Sequence, residues 1–244
     1  MKVLQRAVYD PMYPDSDGKP MADNDVQWEW IVLLKQNMLR LFAKQDDVAI
    51  SADMLIYPDE NDPNDSIAPD VFVAFGRPRK ERFSYTLAQE DNIFPQVIFE
   101  VLSRSNRRSE RMTKRNYYEE HQVEEYFEID PLKHQLKIYT WSAGQLMEID
   151  DPFEYTSSRL GIRFVRTADG KLAVLGPDVK LFLSYQELLK EGEEFLERAE
   201  KAEDRIEEAS HRAEEAIRLA RIAEAAKEKF AAKLRELGLD PDAL

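Results

Sequence analysis

The chain has 244 residues, 43% of them apolar, and a formal net charge of −14, which fits one catalytic-size domain plus an accessory element. It has no cysteine and three histidines (His121, His134, His211), excluding disulfides, thiolate metal sites and cysteine nucleophiles and arguing against a histidine-built zinc centre. The charge argues against a bulk electrostatic grip on nucleic acid, and no apolar run reaches membrane-spanning length, so the chain reads as a soluble, cytoplasmic protein.

Residues 1–21 read as an extended arm rich in turn formers. Asp23 or Asn24 can cap a helix over roughly residues 25–44, in which Trp30, Leu33, Leu34, Met38 and Leu41 mark one apolar face. Val48, Ile50, Ala52, Met54 and Ile56 alternate as in a strand with one buried face, and an acidic loop follows over 59–68. Residues 70–75 are nearly all apolar after Asp70, as in a strand buried on both faces. A polar loop with one helical turn near 86–90 leads to a second such strand, 96–102, which carries Glu100. Ser103 and Ser105 are candidate caps for a helix over 107–122, preferred in that role over phosphate contacts. Tyr117 and Tyr118 in that helix read as core in preference to base-stacking groups, and His121 as a partner for the helix dipole. A strand over 124–129, a hairpin over 135–149 and short strands near 162–166, 172–175 and 180–183 complete the body at residue 184.

From residue 186 onward there are 17 acidic and 11 basic residues. Apolar positions there, mostly alanine, recur at alternating four- and three-residue steps from Phe195 through Ile206 to Phe230, interrupted by Lys227. That 3.5-residue period fits either a coiled-coil seam or a single charge-paired helix over 185–238, ended by Gly238 and Pro241 before a tail at 239–244.

Asp70 and Glu100 sit on two central strands, and Lys114 on the helix that follows. Two carboxylates suit Mg²⁺, with Mn²⁺ also possible, and a lysine can offset charge on a phosphate. A carboxylate flanked by Phe99 and Val101 needs a partner in any case, so a salt bridge to an arginine of 104–115 is the competing explanation for Glu100. Basic clusters follow both acidic strands: Arg77, Arg79, Lys80 and Arg82, then Arg104, Arg107, Arg108, Arg111, Lys114 and Arg115.

The segments IAPDVFV (67–73), VIFEVLSRS (97–105) and VEEYFEIDP (123–131), with the spacing from Lys114 to Tyr117, resemble the Uma-type putative restriction endonuclease family, in its cyanobacterial branch, within the PD-(D/E)xK nuclease superfamily. The arm YPDSDGKPMADND (13–25) and the tail LRELGLDPDAL (234–244) share the likeness. The resemblance implies an α/β, restriction-endonuclease-like core with a central mixed sheet over 22–184, and a Mg²⁺-dependent endodeoxyribonuclease. Asp70 and Glu100 would bind the metal, and Lys114 would replace the lysine expected where Leu102 stands. Arg104, Arg107, Arg108 and Arg111 would contact the DNA backbone, with Glu29 a minor candidate for an additional metal-site acid. A homodimer, paired through the C-terminal helix, would place two sites on two strands. The departure at Leu102 keeps open a non-catalytic adaptor acting through that helix.

Overall fold

The computed structural model describes residues 9–18 and 20–236. The expected helix stop at Gly238 and the tail at 239–244 lie outside the described residues, as does the start of the arm. The chain divides into two compact units, residues 1–186 and 187–244.

In the first unit, helix α1 (Asp25–Leu41) opens at Asn24, whose side chain accepts the Gln27 N–H at 3.0 Å. Its inward face is Ile31, Leu34 and Met38, with Trp30, Leu33 and Leu41 flanking it. Strand β1 (Val48–Ala52) follows, then the two-residue β2 (Ile56–Tyr57). The single strand expected from 48 to 56 is broken because Asp53 takes a left-handed backbone, φ 48°, and its N–H turns to the carbonyls of Pro69 and Asp70. Next come β3 (Val71–Phe75), β4 (Tyr85–Thr86) and a single 3₁₀ turn at Leu87–Gln89, then β5 (Val97–Val101), helix α2 (Arg108–Glu120) and β6 (Glu125–Asp130). Strands β7 (Gln135–Ser142) and β8 (Gln145–Glu148) form the expected hairpin.

The main sheet has the order β1-β3-β5-β6-β7-β8. Only β5 and β6 are parallel, as required of two strands joined by the crossover helix α2. The other neighbours are antiparallel, so the α/β fold is built on a mixed sheet. Side-chain parity sorts its two faces. Val71, Val73, Val97, Phe99, Phe127 and Ile129 join the core cluster that contains α1, with Phe99 stacked on Phe127 at 4.7 Å. Phe72, Ala74, Ile98 and Tyr126 fill the other, where α2 lies with Tyr118 fully buried.

A second hairpin, β9 (Arg163–Arg166) and β10 (Leu172–Leu175), turns at Gly170 and adds Phe164 and Val174 to the α1-side core. The strand expected at 180–183 forms only an isolated bridge, Leu175 to Leu181. Leu183 is committed elsewhere: its N–H and C=O both bond the buried Asn37 side chain of α1, at 3.1 and 2.8 Å.

Glu125 holds the loop before β9. It is fully buried and accepts from the Tyr155 hydroxyl at 2.8 Å, from the Ser158 N–H and hydroxyl at 2.7 Å each, and from the Ser157 hydroxyl. Truncating it would orphan all four donors. Glu125→Ala is therefore expected to cost about 3 kcal/mol, lowering Tm by roughly 6–12 °C. A calorimetric shift below about 2 °C would contradict this account.

In the second unit, α3 (Tyr185–Glu236) runs 52 residues with no buried side chain. Glu194–Arg198, Glu197–Lys201 and Glu208–Arg212 pair at i,i+4 along it. Phe195, Ile206 and Phe230 are 67%, 70% and 65% exposed. Among the described residues no helix is long and apolar enough to cross a membrane.

Candidate active site

The pairing register fixes the centre of the site. Val71 lies opposite Phe99, so one step further places Asp70 beside Glu100, and Glu100 pairs directly with Glu128 on β6. All three have the parity of the α2-side face. A row of carboxylates therefore crosses the middle of the sheet beneath α2.

Helix α2 answers that row with Arg111, Lys114 and Tyr118, three and four residues apart on one helical face. The Lys114 ammonium bonds both Glu100 oxygens, at 2.9 and 2.7 Å, and the Ala68 carbonyl at 3.2 Å. The Tyr118 hydroxyl donates to Glu100 Oε1. Arg111 grips Glu128 with Nε at 2.9 Å and a second guanidinium nitrogen. The salt bridge to an arginine considered for Glu100 is thus made one strand over, by Glu128. Lysine takes Glu100, because the helix advances three residues between the two strands.

Asp70 is held by one strong bond, the Val101 N–H to Oδ2 at 2.6 Å. Burial, then the Glu100 charge, push its carboxyl up to about 8, against the opposing pull of Lys114. Burial works against the Lys114 charge, but Glu100 and Asp70 outweigh it and hold the ammonium above its ordinary pKa. Burial and the Glu100 charge raise the Tyr118 hydroxyl well above the usual tyrosine range, so it remains a proton donor. The centre thus carries one firm cation against two adjoining carboxylates, one of which keeps a proton at neutral pH.

Asp70, Glu100, Arg111 and Lys114 line a cleft of about 910 Å³, whose walls also include Asp17, Asp23, Asp53 and Arg107. Asp53 stands at the break after β1, and burial raises its carboxyl. Glu29 does not reach the cleft. It is exposed on α1, and the residue of that helix lining the cleft is Gln27, which donates to the Val101 carbonyl at 2.8 Å. Helical phase explains the difference: Gln27 is one turn before the buried Ile31, whereas Glu29 faces away.

Ser103 and Ser105 do not cap α2. Its N-cap is Arg107, whose N–H is taken by Glu110 at 3.0 Å, leaving the serines outside the helix. Both serine hydroxyls instead donate to Asp23, Ser103 at 2.5 Å, tying the lead-in of α1 to the loop after β5. His121 caps the C-terminus of α2, stacked on Phe94 at 4.6 Å, and burial lowers its pKa, weakening any role as a cationic dipole partner. Arg104, Arg107 and Arg108 are exposed on the loop and first turn of α2.

Tyr118 and Glu128 went unrecognised as site residues in the sequence. Tyr118 had a legible signal, its i+4 spacing from Lys114. Glu128 had one only in its strand parity, which matches Glu100 once the two strands pair in register.

A family model described as a putative restriction endonuclease, Uma2, matches residues 18–169. The chain belongs to the Uma2 family. That match spans α1, all of the main sheet and α2, so the acid row and its helix lie inside it. Among solved structures, a putative nuclease belonging to DUF820 from Anabaena variabilis ATCC 29413 is similar, with 15% identity and a TM-score of 0.43 over 72% of this chain and 88% of that one. No curated protein matches.

Proposed function

We propose that this Uma2-family protein is a Mg²⁺-dependent endonuclease that hydrolyses DNA phosphodiester bonds. The observation carrying the reading is the convergence of Asp70, Glu100 and Lys114 in one cleft, on a chain whose family is described as putative restriction endonucleases. The donor set fits the ion. Asp70 and Glu100 are two adjacent carboxylates, and Mg²⁺ takes one or two carboxylates and keeps several waters; among the described residues no group of three or more His, Cys, Asp or Glu is placed to hold a metal ion. The raised Asp70 carboxyl also marks a centre short of positive charge. Asp70 and Glu100 would hold the ion, or Mn²⁺ in its place, which supplies Lewis-acid stabilisation of phosphate charge and a lowered pKa for the attacking water.

The chain's own groups do the rest. With Glu100 given over to the ion, the Lys114 ammonium would be left to meet the phosphate and offset its negative charge. Arg107 at the cleft wall, with the exposed Arg104 and Arg108 near it in sequence, would supply sequence-independent backbone contacts. Arg111 contributes less to that grip, since Glu128 already holds one edge of its guanidinium through Nε and a terminal nitrogen.

Supercoiled plasmid is expected to be nicked in Mg²⁺ and left intact in EDTA. Intact plasmid under both conditions, with either Mg²⁺ or Mn²⁺, would leave the adaptor reading, which the exposed apolar residues of α3 favour. A second copy pairing along Phe195, Ile206 and Phe230 would bring two sites to two strands. Sedimentation of the full chain is expected to give a dimer mass at micromolar concentration, and a monomer mass throughout would remove the pairing.

A further inference from the structure

Glu100 is bonded from α2 twice, one helical turn apart, and the two bonds differ in kind. Lys114 holds both carboxylate oxygens through a charge on a flexible stem, half-exposed at the cleft wall. Tyr118 is rigid and fully buried, walled by Tyr126 at 5.3 Å and Tyr117 at 6.5 Å, and its hydroxyl reaches Oε1 alone. One partner is built to move and the other to stay. When a cation displaces the ammonium, a carboxylate held by lysine alone would be free to rotate about its last bond. With Oε1 pinned by the phenol, the carboxylate would keep its orientation.

We infer that Tyr118 is a positioning residue for the Uma2-family active site of this chain: its hydroxyl fixes the orientation of the Glu100 carboxylate that would hold a divalent ion. The inference rests on the assignment of Glu100 as a metal ligand. Groups that orient a ligand in this way typically change metal affinity by 10–100-fold when removed. Phenylalanine fills the same space, so Tyr118→Phe deletes the bond without opening a cavity. Tyr85 supplies the comparison: it is equally buried, and its hydroxyl donates to the Ile93 carbonyl at 2.8 Å instead of to a carboxylate of the site.

The test is Mn²⁺ titration of the full chain by electron paramagnetic resonance, with plasmid nicking followed across the same Mn²⁺ range. Tyr118→Phe is expected to bind Mn²⁺ roughly 10–100-fold more weakly and to regain nicking to within about threefold at saturating Mn²⁺. Tyr85→Phe is expected to keep the wild-type affinity even where it melts earlier. Unchanged affinity in Tyr118→Phe, or equal losses in both variants, would overturn the inference while leaving the metal-ligand assignment standing. Failure of the wild type to bind Mn²⁺ would overturn both. Where Tyr118→Phe does not fold, Tyr118→3-fluorotyrosine changes donor strength at constant shape, and an unmoved Mn²⁺ affinity there overturns the inference as well.

Discussion

Asp70→Asn and Glu100→Gln are each expected to lower the nicking rate by roughly a thousandfold or more, about 4 kcal/mol of transition-state stabilisation, and to abolish high-affinity Mn²⁺ binding. Lys114→Met is expected to behave differently. Its nicking falls by about a hundred- to a thousandfold, yet it binds Mn²⁺ at least as tightly as the wild type. The reason is in the geometry of Glu100. The ammonium occupies both carboxylate oxygens, at 2.9 and 2.7 Å, so it competes with any cation for them. Removing it takes away a competitor in the ground state and a stabilising charge in the transition state. A salt bridge that served folding alone would give the reverse pattern: a large stability loss in Lys114→Met, because Glu100 would stay buried and unpaired, and no effect of Mn²⁺ in any variant. Nicking and Mn²⁺ titration on the three variants separate the two outcomes, and equal activity in all of them would dismiss these residues from the chemistry.

The parts of this arrangement that were legible in the sequence are those set by a single periodicity. Residues 70–75 and 96–102 read as doubly buried strands because almost every side chain is apolar, and β3 and β5 lie within a residue of those bounds. Alternation then places Asp70 and Glu100 on one face as soon as the strands are antiparallel neighbours. Lys114 could be expected to reach them because it follows Glu100 on a crossover helix. What could not be read depends on contacts between distant segments. The strand over 48–56 has an unbroken apolar alternation, and only the carbonyls of Pro69 and Asp70 explain the break at Asp53. Serine is a good cap by propensity, but Asp23, some eighty residues earlier, takes Ser103 and Ser105 away from α2. The sequence leaves the orientation of Glu29 open, because the run from Trp28 to Leu34 offers apolar residues on several faces. Tyr118 was assigned to the core, where it is, but its hydroxyl has a partner that burial alone does not announce.

Raising the pH from 6 to 8 is expected to tighten Mn²⁺ binding about fiftyfold, roughly ninefold over the first unit and about fivefold over the second. The Asp70 carboxyl, pushed up to about 8 by burial and by Glu100, holds a proton that a cation must displace, so the affinity follows the deprotonated fraction until it levels above pH 8. The same group makes an opposite demand on the cation-free protein. Its pKa is near 4 in the unfolded chain and near 8 in the folded one, so the folded state binds the extra proton throughout that window. The stability it contributes is fully present below about pH 4 and is lost as the pH rises toward 8. Asp70→Asn, which cannot ionise, removes this loss. In EDTA at pH 8 it is expected to melt roughly 2–6 °C above the wild type, with the difference shrinking toward pH 5. Divalent ion should reverse the order at pH 8 by stabilising only the wild type. An active site that destabilises its own fold until it is loaded is the behaviour expected of carboxylates placed for a cation. If Asp70→Asn melts below the wild type in EDTA at every pH, Asp70 is a structural acid and its carboxylate is satisfied without the ion.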